Sequence, residues 1–471
     1  MNVTQNAGRN VSQNVNRSSY TGVNALVMGL GLNGGGLETA KFLLSRGAAV
    51  TVTDMKDGAA LAATVNELET FAAARGYPPV RFVLGKHETA DFENAGMVLK
   101  NPGVRPDSPY LLASKRIETD MSLFLAENPA RLTAVTGSKG KSTTAAAIHC
   151  VLEKYHAETG RGKARLGGNI TVSPLSFLDD LTPDDDVVLE LSSWQLGDLR
   201  GKTNAAGNAL LNPRVAVITA IMPDHQNWYH GMEPYVADKR VIYRYQDRHE
   251  NSATVTLDDG WGKSFLAETR AKKISVADAP PELRSIVPRV PGDHNRQNLA
   301  LAGLALAELG LSLPFITANL EQFPGIEHRL EFCLEHNGTR YYNDSAATIP
   351  EAAASALRAL PGSVLITGGT DKDLDFTPLA AVCGKARALI LLAGSGTAKL
   401  IPRLAQNGLA YQGPFDNLDD AVKAAVAAAA PGIPVLFSPG CASFGMFANE
   451  FDRGKRFKAT AKRLVQNSGT E

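Results

Sequence analysis

From Ala134 to Thr144 the chain reads Ala-Val-Thr-Gly-Ser-Lys-Gly-Lys-Ser-Thr-Thr, and no other passage restricts the fold as much. The apolar run Leu132–Val135 breaks at glycines and gives way to a helix-compatible stretch from Thr143 to Cys150, which demands strand, tight turn and helix in that order. Such a turn is a phosphate cradle. Its glycines let successive amide N–H groups converge on oxygens, Lys141 reaches the outer phosphates, and the Ser142 hydroxyl can hold Mg²⁺. Gly137, Ser138, Lys139, Gly140, Lys141, Ser142 and Thr143 are therefore the candidate nucleotide-binding residues, with ATP or GTP as ligand. Val135 stands where the longer form of this loop has its first glycine, so here that glycine comes at Gly137. A plain strand–turn–helix with a surface lysine is the alternative; the flanking strand and helix supply the context that the phosphate loop needs.

The length of 471 residues predicts about three domains. Lys+Arg and Asp+Glu both number 48, so no basic surplus recommends nucleic acid or an anionic membrane, and a small or nucleotide-bearing substrate fits better. Cys150, Cys333, Cys383 and Cys441 are scattered without a CxxC pair, against a disulfide framework and against a zinc ribbon. No stretch approaches the roughly 20 apolar residues of a membrane span, and the N-terminus lacks a signal-peptide core. A soluble cytoplasmic protein is expected. Residues 1–19 are rich in Asn, Ser, Gln and Val and read as a disordered extension; the triplets at Asn2, Asn10 and Asn16 carry no chemistry without a secretory signal.

Three blocks of alternating strands and helices follow. The first opens with Ala25–Met28, then Gly29-x-Gly31-x-x-Gly34, a helix from about Leu37 to Ser45, and the strand Val50–Thr53 ending at Asp54, an acid 20 residues after the last glycine. This is a βαβ unit with a Rossmann fingerprint. A dinucleotide, any other nucleotide diphosphate, or bare helix–strand packing all satisfy the glycine pattern, so it names no ligand.

The second block continues from the phosphate loop through Gly167-Gly168-Asn169 and the strand Val187–Leu191 to Val215–Ala220 and Asp224-His225. Glu190, an acid at the C-terminal end of a buried strand beside a phosphate loop, is placed to meet Mg²⁺. A helix is predicted from Asn295 to Leu309, with Asn295 and Asn298 three apart on one face. Their amides can read an adenine edge or merely cap the helix. The third block, from about Ile326, has strands at Val364–Thr367, Ala388–Leu392 and Val435–Ser438. Polar clusters follow its strands at Asn343-Asp344-Ser345, Gly368–Lys372 and Ser438–Ser443, the edge where open parallel sheets bind ligands.

In this order the pieces resemble the Mur ligases of peptidoglycan synthesis, from Gly22 to the C-terminus. Thr136–Thr143, Leu189-Glu190-Leu191-Ser192-Ser193-Trp194-Gln195-Leu196 and His294-Asn295-x-x-Asn298 carry the likeness. The resemblance implies an α/β chain of three domains: Rossmann-like over 20–128, a central P-loop-type mononucleotide-binding domain over 129–325, and a C-terminal Rossmann-like α/β domain over 326–471. It implies that Gly29, Leu32, Asn33 and Gly34 approach the diphosphate of a UDP-linked substrate and that Asp54 meets the uridine. Asn169 and His225 match positions that hold the sugar–peptide substrate or the metal; Lys141, Ser142 and Glu190 match the ATP–Mg²⁺ positions. Arg329 and Asp344 match residues that grip the ATP phosphates and ribose.

Lys239, in Tyr235-Val236-Ala237-Asp238-Lys239-Arg240, matches a lysine that family members carbamylate, so that its new carboxylate supports a second Mg²⁺. A neutral amine captures CO₂, whereas an exposed ammonium with a pKa near ~10.4 rarely does, so composition alone favours a surface lysine. The amino-acid pocket implied by the family comprises Thr348, Lys372 and Ser443. It departs from the family pattern at Ala346, where a lysine is usual, and at Glu450, where phenylalanine is usual.

The activity so implied is ATP-dependent ligation of glutamate, D-Glu favoured, to UDP-N-acetylmuramoyl-L-alanine through an acyl phosphate, with Lys141, His225 and Lys239 at the chemistry. ATP, two Mg²⁺ ions and a carbamylated lysine are expected, on a monomer with mobile domains. Another Mur-type or a folylpolyglutamate-type ligase, a dinucleotide-dependent oxidoreductase and a non-catalytic nucleotide-binding subunit are the competing readings. The oxidoreductase leaves the Gly137–Thr144 loop unexplained.

Overall fold

The apolar β-branched runs become strands of three separate sheets. The computed structural model describes residues 19–31, 34–170, 172–247 and 251–467; the expected extension over 1–19 lies almost wholly outside them, as do Leu32 and Asn33. β1 (Asn24–Met28), β2 (Ala49–Asp54), β3 (Arg81–Leu84), β4 (Met97–Lys100) and β5 (Ile117–Glu118) form a parallel sheet in the order β3-β2-β1-β4-β5. β6 (Arg131–Thr136), β7 (Ala164–Gly168), β8 (Asp186–Glu190), β9 (Val215–Ile218), β10 (Ala253–Thr256) and β11 (Lys272–Ser275) form a second parallel sheet, ordered β11-β10-β9-β6-β8-β7. Strands with helices on both faces are buried on both sides, which is why β6, β8 and β9 read as near-continuous Val, Leu, Ile and Ala.

The third sheet contains β12 (Glu331–His336), β13 (Thr339–Asn343), β14 (Val364–Thr367), β15 (Ala388–Leu392), β16 (Gln412–Phe415) and β17 (Val435–Phe437), ordered β12-β13-β17-β14-β15-β16. It is not wholly parallel: β12 and β13 run antiparallel. The reason is local, because the two-residue turn Asn337-Gly338 takes positive φ at both positions (49° and 73°), the conformation that closes a tight hairpin.

All three sheets reverse strand order at one point, and each reversal opens a crevice at the C-terminal strand ends. These lie between β1 and β4, around β6, and between β14 and β17. The chain packs as two compact units, one reaching to Ala279 and including Leu304–Leu311, the other comprising Pro280–Gly303 and Ser312–Glu471. The first two sheets belong to the former and share one continuous core running from Tyr20 to Phe265. The third sheet, in the other unit, has a core on each face. Among the described residues no helix is long and apolar enough to cross a membrane.

Candidate active site

The phosphate loop leaves β6 at Thr136 and enters the helix Lys141–Thr159 at Gly140, whose φ is 94°. Gly137 has φ 146°, and a Cβ there would lie 2.0 Å from Thr219 Oγ1. Only glycine lets the loop after β6 pass this close to Thr219. Thr219 Oγ1 donates to the Lys139 carbonyl at 2.7 Å and lies 3.2 Å from that of Thr136. The N–H groups of Ser138 and Lys139 both donate to Ala220 O. Ser138 Oγ donates to Met222 O at 2.9 Å and lies 2.8 Å from the Tyr235 hydroxyl. The loop is thus fastened to the end of β9. No side chain caps the helix, so its first-turn amides are left for an anion.

Two lysines crowd this edge. Lys141 Nζ donates to Ser138 O at 3.1 Å, and burial lowers its pKa against the pull of Glu190 and Asp224. Lys239, closing the helix Met232–Lys239, is only 2% exposed. Its Nζ donates to Gly137 O at 2.8 Å and sits 4.5 Å from the centre of the Tyr235 ring. Burial first, and then the charge of Lys141, bring its pKa down to about 7. The surface lysine that composition favoured is therefore excluded: a large part of this amine is neutral near pH 7.

Glu190 ends β8 and is 1% exposed. Its Oε1 accepts from Asn169 Nδ2 at 2.9 Å, while Oε2 is buried without a partner. An orphaned carboxylate oxygen beside a phosphate loop fits a divalent cation, with the Ser142 hydroxyl, phosphate oxygens and water as further hard donors. Among the described residues no three His, Cys, Asp or Glu side chains form a metal cluster by themselves, so any ion here relies on such donors. His225 holds a left-handed backbone (φ 51°), with Nε2 3.8 Å from the Asp224 carboxylate and its ring 4.6 Å from that of Trp194.

At the first sheet, Gly29, Gly35, Gly36, Lys100, Asn101 and Pro102 line a small cavity of about 40 Å³. Gly34 caps the helix Gly35–Ser45 with φ 83°. The glycine that permits close packing is Gly36, two residues beyond the fingerprint: its Cβ would lie 2.1 Å from Gly29 O. Asp54 is turned to the backbone, with Oδ2 accepting from Gly31 N–H (3.1 Å) and Oδ1 from Lys56 N–H (2.9 Å). It shapes the glycine loop.

In the other unit, Asp344 is 8% exposed; its Oδ1 accepts from Leu330 N–H (3.1 Å) and its Oδ2 from Ser438 Oγ (2.6 Å). Burial raises its pKa to about 6. Arg329 is exposed on a turn between His328 and Leu330, both at positive φ (66° and 44°). Asn343 Nδ2 donates to His328 Nδ1 at 2.9 Å and braces that turn. Asn295 and Asn298 are both buried; Asn295 Nδ2 donates to Pro291 O at 3.0 Å, which ties the first turn of the helix Asp293–Glu308 to the chain before it.

Ser443 lines a cavity of about 260 Å³ with Gly369, Thr370, Gly394, Phe444 and Arg453, at the strand-order reversal of the third sheet. Lys372 is exposed, its Nζ 5.3 Å from the centre of the Phe444 ring; Thr348 is half-buried. Glu450 begins the helix Glu450–Asn467, and its carbonyl accepts from Ser345 Oγ at 2.7 Å.

Sequence reading passed over Arg453. This buried guanidinium donates to Ser345 Oγ (3.0 Å), Ser345 O (2.7 Å) and Cys441 O (3.0 Å), tying together the loops after β13 and β17. It shares an i, i+4 row with the buried Phe457, Ala461 and Val465. An arginine in an otherwise apolar row was the available signal.

Three family descriptions match in succession: Mur ligase MurD-like, N-terminal domain over residues 23–121; Mur ligase middle domain over 135–285; and Mur ligase, glutamate ligase domain over 328–441. A UDP-N-acetylmuramoylalanine--D-glutamate ligase of Treponema pallidum (strain Nichols) is 40% identical, covering 96% of this chain and 99% of its own. Proteins of that same name from Borreliella afzelii (strain PKo) and Roseiflexus sp. (strain RS-1) are 39% and 38% identical; each covers 93% of this chain, and 97% and 98% of its own. With all three domain types matched in order and such relatives spanning nearly its whole length, the chain belongs to the Mur ligase family of ATP-dependent, amide-forming enzymes.

Proposed function

We propose that the protein joins D-glutamate to UDP-N-acetylmuramoyl-L-alanine in peptidoglycan precursor synthesis, in the cytoplasm and as a monomer. The observation that carries this is the meeting of Lys141, the unpartnered Glu190 oxygen and the buried Lys239 amine at one phosphate-loop edge. The substrates are those named for its UDP-N-acetylmuramoylalanine--D-glutamate ligase relatives.

A free carboxylate makes no amide in water, because its oxygen is a poor leaving group. In this reading the alanine carboxylate attacks the γ-phosphorus of ATP in line. The bond to the β,γ-bridging oxygen breaks, leaving an acyl phosphate and ADP. The deprotonated glutamate amine then adds to the acyl carbon; the tetrahedral adduct expels phosphate, and the ammonium proton passes to solvent. Lys141 and the uncapped first-turn amides of the helix Lys141–Thr159 neutralise charge developing on the transferred group, so positioning and electrostatics carry most of the acceleration. Mg²⁺, two ions in this reading, supplies further charge neutralisation on the phosphate oxygens, with Ser142, Glu190, His225 and Lys239 as its donors. Lys239 serves as a carbamate: its neutral amine attacks CO₂ and loses a proton, exchanging a cation for a carboxylate.

Asn169 and His225 orient the alanyl end, while Gly29, Leu32, Asn33, Gly34 and Asp54 hold the UDP end. Asn295, Asn298, Arg329 and Asp344 serve ATP, and Thr348, Lys372 and Ser443 the incoming glutamate. The domain limits are set at 20–128, 129–325 and 326–471.

The test is to supply ATP, Mg²⁺ and UDP-N-acetylmuramoyl-L-alanine with D-Glu, L-Glu, D-Asp or L-Lys separately, recording phosphate and product mass. D-Glu alone gives stoichiometric product and phosphate. Product from another amino acid, or none from any, contradicts the reading.

A further inference from the structure

We infer that Trp194 and Trp228, with Arg105 at their rim, form the platform on which the N-acetylmuramoyl-alanyl part of the UDP-linked substrate rests. The inference builds on the function proposed above and adds residues that neither the phosphate loop nor the glycine fingerprint accounts for.

The chain has three tryptophans, and two of them lie together at this edge. Their ring centres are 4.7 Å apart with planes 31° from parallel, and the His225 ring lies 4.6 Å from that of Trp194. Both indoles are only half-buried, packed against the core rather than within it. The Trp194 Nε1–H has no hydrogen-bond partner. Indoles placed merely to fill a core are enclosed, and their N–H is usually satisfied.

The platform has a place along the substrate. Asn101 and Pro102 line the cavity beneath the glycine loop. Three residues farther on, the Arg105 guanidinium lies 5.3 Å from the centre of the Trp228 ring and donates toward Trp228 O at 3.5 Å. Asp107 holds that guanidinium in place with two bonds of 3.0 Å. Trp228 lies three residues after His225, at the phosphate-loop edge. A run of contacts therefore leads from Arg105, three residues along the chain from the glycine-loop cavity, through Trp228 and Trp194 to His225.

One helix fixes both ends of this run. Ser193–Leu199 presents Trp194 and, one turn later, Asp198, whose Oδ2 accepts from Lys100 Nζ at 2.6 Å. Lys100 immediately precedes the loop that carries Asn101 and Arg105. The helix that holds the indole thus also clamps the loop that brings the arginine.

The chemistry matches. Between a diphosphate at one end and a carboxylate at the other, the substrate is a hexose ring with apolar C–H faces, a lactyl ether and an alanine methyl group. Such a segment packs on an aromatic face, and an arginine stacked on that face adds donors for its carbonyls.

The experiment is calorimetry of UDP and of UDP-N-acetylmuramoyl-L-alanine binding to the wild-type full chain, Trp228→Ala and Trp228→Phe. UDP binds all three alike; the full substrate binds Trp228→Ala about tenfold more weakly, and Trp228→Phe recovers most of that loss. In steady state Trp228→Ala raises KM for the UDP-linked substrate while KM for ATP holds. In a Trp261→Phe background, emission of the remaining indoles changes with the full substrate and not with UDP. Equal losses for both ligands, no loss, or a wild-type protein that binds the full substrate no better than UDP overturns the platform alone. A wild-type protein that binds neither ligand overturns the functional reading and the platform with it.

Discussion

Lys239 Nζ donates to the carbonyl of Gly137 at 2.8 Å, so the amine sits against the first glycine of the phosphate loop. The two residues are 102 positions apart in sequence. Their meeting puts a buried, partly neutral amine against the loop where the proposed function develops γ-phosphate charge. Lys239→Ala lowers kcat by about 10²–10³-fold. Lys239→Arg fails to restore it, because a guanidinium stays protonated and forms no carbamate. In ¹³C-bicarbonate, NMR shows a carbamate carbonyl signal in the wild type that is missing in Lys239→Ala. A wild-type spectrum without that signal, together with activity indifferent to CO₂ removal, contradicts the carbamate.

Asp344 gives a pH signature. Burial holds its carboxyl up at about 6, above the usual aspartate range, so the charged form is present above that pH and is lost as pH falls through it. In saturating Mg²⁺, kcat/KM for ATP therefore shows an acid limb near pH 6. The Ser438 hydroxyl favours the charged form through its 2.6 Å bond. Ser438→Ala removes that support and moves the limb to higher pH; a limb that stays in place assigns it to another group.

Gly36 tests the first sheet. An added Cβ would lie 2.1 Å from one backbone carbonyl oxygen and 2.6 Å from another, and neither is the end of a flexible side chain. Gly36→Ala lowers stability by about 2–3 kcal/mol, measured by urea unfolding, and weakens UDP binding because the helix start must shift. Gly35→Ala, whose Cβ meets nothing within 4 Å, serves as the matched control.

Much of this was legible in the chain, for identifiable reasons. Strands buried on both faces are continuous apolar runs, so Val364–Thr367 and Ala388–Leu392 were read with the limits they have in the structure. The phosphate loop was legible because its chemistry needs glycine and lysine at fixed spacing. The hairpin of β12 and β13 is marked only by Asn337-Gly338, because β12 is a part-exposed edge strand that lacks the continuous apolar run of a strand buried on both faces. The helical row marks Arg453 as inward-facing, but its bond to Ser345 and the Trp194–Trp228 pairing depend on approach between segments far apart in sequence, which no local period encodes. Gly36 belongs to the same class: the fingerprint counts glycines, but only the helix entry angle decides which one must lack a side chain.

The most direct test of the account follows oxygen from the substrate. UDP-N-acetylmuramoyl-L-alanine labelled with ¹⁸O in the alanine carboxylate is turned over with ATP, Mg²⁺ and D-glutamate, and the phosphate released is analysed by mass. If the carboxylate takes the γ-phosphoryl group at the Lys141–Glu190–Lys239 edge, one ¹⁸O appears in each phosphate formed, and Lys141→Ala releases almost none. Phosphate that carries no label while amide product accumulates would contradict the account.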